Sequence, residues 1–239
     1  LFRSAQWCGE GRPCDVDTFL DLLIGRDNRG DEGVNFENEP GNQLAGVDFR
    51  WSPRLSGQPL AIYGQFVGED EAGGLPSRYL GLLGIERSAA FGMNGSYRVF
   101  AEYAGTSCDF YKRDEIFNCA YNHTIYQTGY RYRGRTIGHA ADNDSKILSA
   151  GFVISNGEAN AFQGVLRAGR LNRIGPPDPR NSTTATRLDL VSGDFFYHRK
   201  LTRGSLTVGI GYDYTNDAAA DSSESGGRAF IEWRNNVLQ

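Results

Sequence analysis

The sequence predicts an all-β fold, an antiparallel transmembrane β-barrel with one short helix in a loop. Three observations lead there. Segments with strand periodicity recur along the chain, the connections between them alternate short and long, and no apolar run is long enough for a transmembrane helix. Residues 205–215, SLTVGIGYDYT, show the repeating unit: Leu206, Val208, Ile210, Tyr212 and Tyr214 alternate with Thr207, Gly209, Gly211 and Asp213. A period of two belongs to a strand. The polar face of a sandwich strand usually carries Lys, Glu and Thr, whereas this one is half glycine and its apolar partner ends in tyrosines. Apolar outside, small and polar inside, tyrosine at the rim: these mark a membrane barrel strand. Glycine (31), aromatics (12%) and a hydrophobic fraction of only 39% over 239 residues favour one β domain, 1–239, over two smaller ones.

In chain order, LFRSAQW reads as the end of a strand, so the chain is expected to be a fragment or a processed form. Residues 8–42 are a helix-bearing loop. Within it DVDTFLDLLIG places Val16, Phe19, Leu20 and Leu23 on one helical face, with Asp15 or Asp17 to cap the start and Gly25 to end it. QLAGVDFRW then sets Ala45, Val47, Phe49 and Trp51 against Gly46, Asp48 and Arg50, and PLAIYGQFVGE sets Leu60, Ile62 and Phe66 against Tyr63, Gln65 and Glu69. YLGLLGIER has no clear phase. SYRVFAEYA opposes Tyr97, Val99, Ala101 and Tyr103 to Arg98 and Glu102, and KILSAGFVIS turns Leu148, Ala150, Phe152 and Ile154 outward. AFQGVLRAG does the same with Phe162, Leu166 and Ala168, with Gln163 and Arg167 opposite. TRLDLVSGDFFYHR changes phase after Leu188 and Leu190, which predicts a bulge at Ser192, Gly193 and Asp194 before Phe195 and Tyr197. AFIEWR, with Ala229, Ile231 and Trp233 on one side, closes the series.

Of the connections, SPRLSGQ, SAAFGMNG, SNGEANA and KLTRGS are short. GEDEAGGLPS, residues 105–145, RLNRIGPPDPRNSTT and NDAAADSSESGG are read as the longer, more polar loops. Strict alternation is what short periplasmic turns and long extracellular loops produce. The reading gives about nine membrane strands, with 8–42 and 105–145 extracellular and the C-terminus periplasmic. Bacterial barrels close with even strand numbers, which puts the missing strands before Leu1.

The net charge of −4 and pI near 5.5 argue against a general nucleic-acid binder. Lys112, Lys146 and Lys200 are the only lysines, and the remaining cations are arginines, whose guanidinium forks suit phosphate, carboxylate and sugar hydroxyls. The cysteines fall into two close pairs, Cys8 with Cys14 and Cys108 with Cys119, in polar, loop-like sequence. They read as disulfides of an oxidising compartment, with three connectivities open. No metal is expected, because histidine is scarce and CxxC is lacking. No cofactor is expected either, for the sequence holds no G-x-S-x-G, H-E-x-x-H or phosphate-binding glycine loop.

Several segments together resemble the Wzi family of capsule assembly proteins: GEGRPCDVDTFLDLLIGRDNRG, ENEPGNQLAGVDFRW, PLAIYGQFVGEDEAGGLPSRYLG and YRYRGRTIGHAADNDSK. The resemblance covers most of the chain. It implies half of an eighteen-stranded, monomeric outer-membrane barrel of a Gram-negative bacterium, among lipid and lipopolysaccharide. It also implies a lectin-like, non-enzymatic role in retaining capsular polysaccharide. The family's helical bundle has no counterpart in this sequence, and its last residues, NNVLQ, differ from the terminal aromatic common in outer-membrane proteins.

In that frame YRYRGR is the first candidate for binding an acidic polysaccharide. If extended, it lines up Arg131, Arg133 and Arg135 on one face and Tyr130 and Tyr132 on the other, guanidinium for acid groups and rings for sugar faces. The competing reading is that these arginines pair with Asp142 and Asp144 and merely order the loop. His139 is a hydrogen-bonding or titrating candidate. Glu69 and Glu71, with Asp70 between them, and Asp27, Glu37 and Glu39 are acidic candidates for contact with polysaccharide, the competing reading being a solvated loop or a divalent-ion patch of the lipopolysaccharide zone. A hydrolase would need two such carboxylates flanking a bond, which adjacency alone does not supply. The alternative function is a channel for sugars or ions, with Asp48, Arg50, Arg98, Glu102 and Arg167 setting selectivity.

Overall fold

The computed structural model describes residues 1–9, 11, 13–24, 41–55, 57–72, 75–123, 126–157, 159–174 and 177–235. Among them the elements are β1 (Phe2–Trp7), α1 (Val16–Ile24), β2 (Gly41–Trp51), β3 (Arg54–Leu55), β4 (Gln58–Ala72), β5 (Leu75–Phe91) and β6 (Gly95–Gly105). Then come β7 (Arg131–Tyr132), β8 (Arg135–Thr136), β9 (Lys146–Asn156), β10 (Asn160–Leu171), β11 (Leu188–Leu201), β12 (Gly204–Asp217) and β13 (Ser222–Asn235). One antiparallel sheet runs β1-β2-β4-β5-β6-β9-β10-β11-β12-β13, with β3 paired to β4 beside this path, and β7 and β8 pair only with each other. The sheet is open, with β1 and β13 as its edges among the described residues.

Nine strands, β2, β4, β5, β6 and β9 to β13, are 11 to 17 residues long. Eleven residues at ~3.4 Å each, tilted about 40°, cross an apolar band ~25 Å tall. Directly paired residues share a face. Trp51, Ile62, Ile85, Ala101, Ala150, Leu166, Gly193 and Tyr212 therefore form one row across the sheet. The row one residue away is Arg50, Tyr63, Gly84, Glu102, Ser149, Arg167, Ser192 and Asp213. The apolar face stays uncovered: Leu166 is 67% exposed, Ile210 57% and Ile231 75%. A band of that kind is far more than the scattered exposed apolar residues of an ordinary surface.

Several expectations change. β11 contains no bulge: Ser192, Gly193 and Asp194 pair in unbroken register with Asp213, Tyr212 and Gly211. Leu188 and Leu190 instead lie on the polar face, where they pack on Ala141, Ile147 and Leu171. The apparent phase change is thus a change in what covers that face. The uncertain phase of β5 has the same cause, since Leu83 and Ile85 join the apolar face while Leu80 is buried on the other. GEDEAGGLPS is not a long loop, because β4 and β5 stay paired as far as Ala72 with Leu75. NDAAADSSESGG is mostly strand as well: β12 and β13 pair as far as Asp217 with Ser222. In both hairpins cross-strand bonds satisfy the polar backbone beyond the apolar stretch.

The helix is capped by Asp15, whose Oδ1 accepts from the Thr18 amide at 2.8 Å. Its buried side is not the expected one. Leu22 is buried, Phe19 meets Trp7 at 5.2 Å between ring centroids, and Val16, Leu20 and Leu23 are exposed. The Cys8–Cys14 disulfide ties the helix start back to β1. Gly25, the expected stop, lies outside the described residues.

Candidate functional site

The connection 106–145 adds no strand to the main sheet and is not an idle loop. Its apolar residues settle on the polar face of the sheet: Cys108, Cys119, Ala120 and Tyr121 form one core with Leu44 and Leu80, joined by Val67, Ile116 and Tyr130. The Cys108–Cys119 disulfide closes the segment near its base. Cys108 and Ile116 exchange backbone bonds of 3.0 and 2.9 Å beside it. Phe110 reaches over the rim to the apolar face and meets Phe66 at 5.8 Å, Tyr103 at 6.3 Å and Tyr111 at 5.5 Å. Gly105 makes room there, because a Cβ would come within 2.7 Å of Phe110.

A second connection, 172–187, is stapled to this block by buried polar groups. Arg131, 4% exposed, donates from Nε to Asp142 Oδ2 at 2.8 Å, while its Nη2 pairs with Oδ1 of the same carboxylate. Its Nη1 donates to Asn122 Oδ1 at 2.8 Å and to the Tyr121 carbonyl at 3.1 Å. Asp142 also accepts from the Ser182 amide at 2.8 Å. Burial alone would raise the Asp142 pKa, but the bonds from Arg131 and Ser182 outweigh it and hold the carboxylate below its ordinary range. Glu115 behaves alike, with burial opposed by bonds from Lys146, Ser107 and Arg173. Asp144 differs. Burial pushes it up to about 7 against two bonds from the Asn118 amide, at 2.9 and 3.0 Å.

The tyrosine and arginine run is a tight hairpin and not an extended strip. Arg131 pairs with Thr136 and Tyr132 with Arg135, and Arg133 and Gly134 turn the chain at φ of 50° and 73°. A two-residue turn with both φ positive matches the twist of a hairpin. The expected row of three guanidinium groups is therefore broken: Arg131 is internal, and Arg133 and Arg135 are exposed at the tip. Tyr132 is 65% exposed, with the Arg133 guanidinium 5.3 Å from its ring centroid. Tyr130 is half-buried, edge-on to Tyr121 at 6.0 Å. Arg135 has no ion-pair partner among the described residues. His139 donates its backbone N–H to Tyr121 Oη at 2.8 Å and accepts from the Ala141 amide on Nδ1 at 3.1 Å. Burial lowers its pKa, with Glu102 pulling the other way.

The pairing of Arg131 with Asp142 was among the sequence-derived alternatives. The contributions of Arg173 and Ser182, which come from a separate connection, were not foreseen, and neither were those of Glu115 and Asn122. One signal was present. Asp109, Asn118, Asp142, Asp144 and Asn172 all have positive φ, a conformation that Asn and Asp tolerate best, so the density of such residues marked a compact turn-rich block. Glu69 and Glu71 fall in β4, but their side chains lie outside the described residues, as does the whole of Asp27, Glu37 and Glu39. Of the three connectivities left open, the one formed joins the close pairs, Cys8 with Cys14 and Cys108 with Cys119.

Lower on the polar face several charges are paired or hydrogen-bonded. Glu86 holds Arg50 at 2.8 Å and Arg98 at 2.6 Å, Tyr63 Oη donates to Glu102 at 3.2 Å, and Asp194 holds Arg167 at 2.9 Å together with Arg228.

Over residues 1–225 the chain matches the family described as capsule assembly protein Wzi. It belongs to that family. A solved Wzi structure from Escherichia coli, described as an outer-membrane protein involved in group 1 capsule assembly and a carbohydrate-binding β-barrel, superposes with a TM-score of 0.73. The two are 25% identical, over 96% of this chain and 47% of that one. An uncharacterised 55.8 kDa protein in the cps region of Klebsiella pneumoniae is 50% identical over 92 residues, 38% of this chain and 17% of that protein. The chain thus spans less than half the length of the Wzi barrel it resembles. Among the described residues no helix is long and apolar enough to cross a membrane, which leaves crossing by strands untouched.

Proposed function

We propose that this chain forms about half of a monomeric outer-membrane barrel of capsule assembly and binds acidic capsular polysaccharide at the cell surface without catalysing a reaction. The apolar face of the sheet meets lipid, the ends bearing 106–145 and 172–187 lie outside, and the C-terminus lies in the periplasm. One observation carries the binding reading: Tyr132, Arg133 and Arg135 are exposed at the tip of a hairpin whose base is anchored by the buried Arg131–Asp142 pair. The tip offers a ring and two cations on a rigid mount, which limits the ordering cost of binding. Arg131 and Asp142 position this tip and do not touch the ligand.

The test is binding of capsular polysaccharide to the full-length barrel in detergent, wild type against the Arg133→Ala, Arg135→Ala double variant, at low and high salt. Salt-sensitive binding that is weakened in the variant is expected, because exposed charges are screened. Undiminished binding would remove the hairpin from the site. The channel reading has the paired charges of the polar face in its favour, but the connection 106–145 packs across that face. A large, stable single-channel current from the full-length protein would overturn this preference.

A further inference from the structure

Between the polar face and the connection 106–145 lies a cavity of about 340 Å³. Leu44, Val67 and Leu80 form one wall, Tyr130 and Ile137 the other, and Gln65 and His139 are among its polar groups. We infer that this cavity takes a single neutral sugar ring of the polysaccharide, beside the cationic hairpin tip that takes its acidic units; the inference rests on the binding reading above.

Size and chemistry both point to such a guest. The volume falls at the lower end of small-ligand sites, which are mostly apolar with a few fixed polar groups. A pyranose has matching halves, a ring of C–H groups for the Tyr130 and leucine surfaces and a fringe of hydroxyls for amide and imidazole. The Gln65 side chain makes no hydrogen bond among the described residues, so its two donors and its acceptor are available. His139 is committed at Nδ1, which accepts from the Ala141 amide. The neutral ring then carries its proton on Nε2, leaving one donor free. None of the lining residues is Asp, Glu, Lys or Arg. The Glu102 carboxylate acts electrostatically on His139 and would repel an anionic guest. A uronic acid is therefore a poor occupant, whereas a neutral hexose meets no such opposition.

The two sites lie within reach of one chain. Tyr130 lines the cavity and Arg133 stands three residues further on, at most about 10 Å away along the backbone. A polysaccharide that mixes neutral and acidic units could seat one of each at the same time. Requiring both would reject chains that are wholly neutral or wholly acidic.

The test uses the full-length barrel in detergent, with saturation-transfer NMR for D-galactose, D-glucose, D-mannose and D-glucuronate and a separate titration with capsular polysaccharide. Gln65→Leu removes the amide at nearly constant volume, His139→Phe removes the imidazole donor, and heat-modified gel mobility confirms that each variant is folded. The expected result is transfer from at least one neutral hexose in the wild type, little from glucuronate, and roughly tenfold weaker polysaccharide binding in Gln65→Leu. If the wild type binds polysaccharide but neither folded variant weakens it, the cavity is not a sugar site and the hairpin reading stands. Stronger transfer from glucuronate than from any hexose would overturn the neutral specificity. If the wild type binds no polysaccharide, both readings fall.

Discussion

Replacing Arg131 by Met tests whether the hairpin tip depends on its buried mount. Arg131 and Asp142 side chains are 3% and 0% exposed, so the pair is wholly desolvated. Met keeps most of the volume and removes the donors to Asp142, Asn122 and the Tyr121 carbonyl. Asp142 would keep its bonds from Ser182 but stay buried without a counter-charge. Breaking one side of a buried pair costs about 3–5 kcal/mol. These contacts hold connections and not strands, so the loss should appear as local opening of 106–145, with the sheet intact. At ~3 kcal/mol the open population rises roughly hundredfold. Hydrogen exchange of residues 106–145 in the full-length barrel reads this directly. Cleavage by trypsin after Arg133 and Arg135 is a second readout. Pairing Arg131→Met with Asp142→Leu should recover much of the protection, since no buried charge is then left alone. Exchange in Arg131→Met equal to wild type over 106–145 would refute the assigned role.

Two further outcomes follow from burial. Asp144 has its pKa raised by burial from 3.8 to about 7, so the folded state favours the neutral acid. Its contribution is greatest below pH ~4, falls as the pH rises to ~7 and is flat above, a span worth on the order of 4 kcal/mol. Asp144→Asn should remove that decline, so the variant gains thermal midpoint over wild type at pH 8 but not at pH 4; parallel pH profiles would count against it. Leu166→Arg, on the apolar face at 67% exposure, should cost about 2–4 kcal/mol in refolding of the full-length barrel into lipid vesicles. On a water-facing surface the same change would stay within ~0.5 kcal/mol, and that result would refute the lipid-facing assignment.

Strand faces were legible from the sequence wherever one side meets an apolar phase and the other a polar one. Val47, Phe49 and Trp51, or Phe162, Leu166 and Ala168, needed only their spacing. The reading failed where the polar face was itself covered. Leu80, Leu188 and Leu190 look out of phase because residues of 106–145 pack on them, and a period of two cannot register a partner far away in sequence. The hairpin at 131–136 failed for another reason. YRYRGR alternates like a strand, yet a turn at Arg133 and Gly134 reverses the chain and separates Arg131 from the other two arginines.

Composition and periodicity were sufficient for the antiparallel sheet and its apolar band, while the choice among three cysteine connectivities came from the structure. Both features depend on residues close in the chain, or on one solvent contrast repeated along it. The site required distant parts to meet. Asp142 gains its meaning from Arg131, eleven residues away, and from Ser182, forty away, while the cavity needs Gln65 on β4 opposite His139 in a later connection. Whether an arginine reaches solvent or an internal carboxylate depends on how two connections share limited volume above one face of a sheet. That sharing is a property of packing, and no local pattern of residues encodes it.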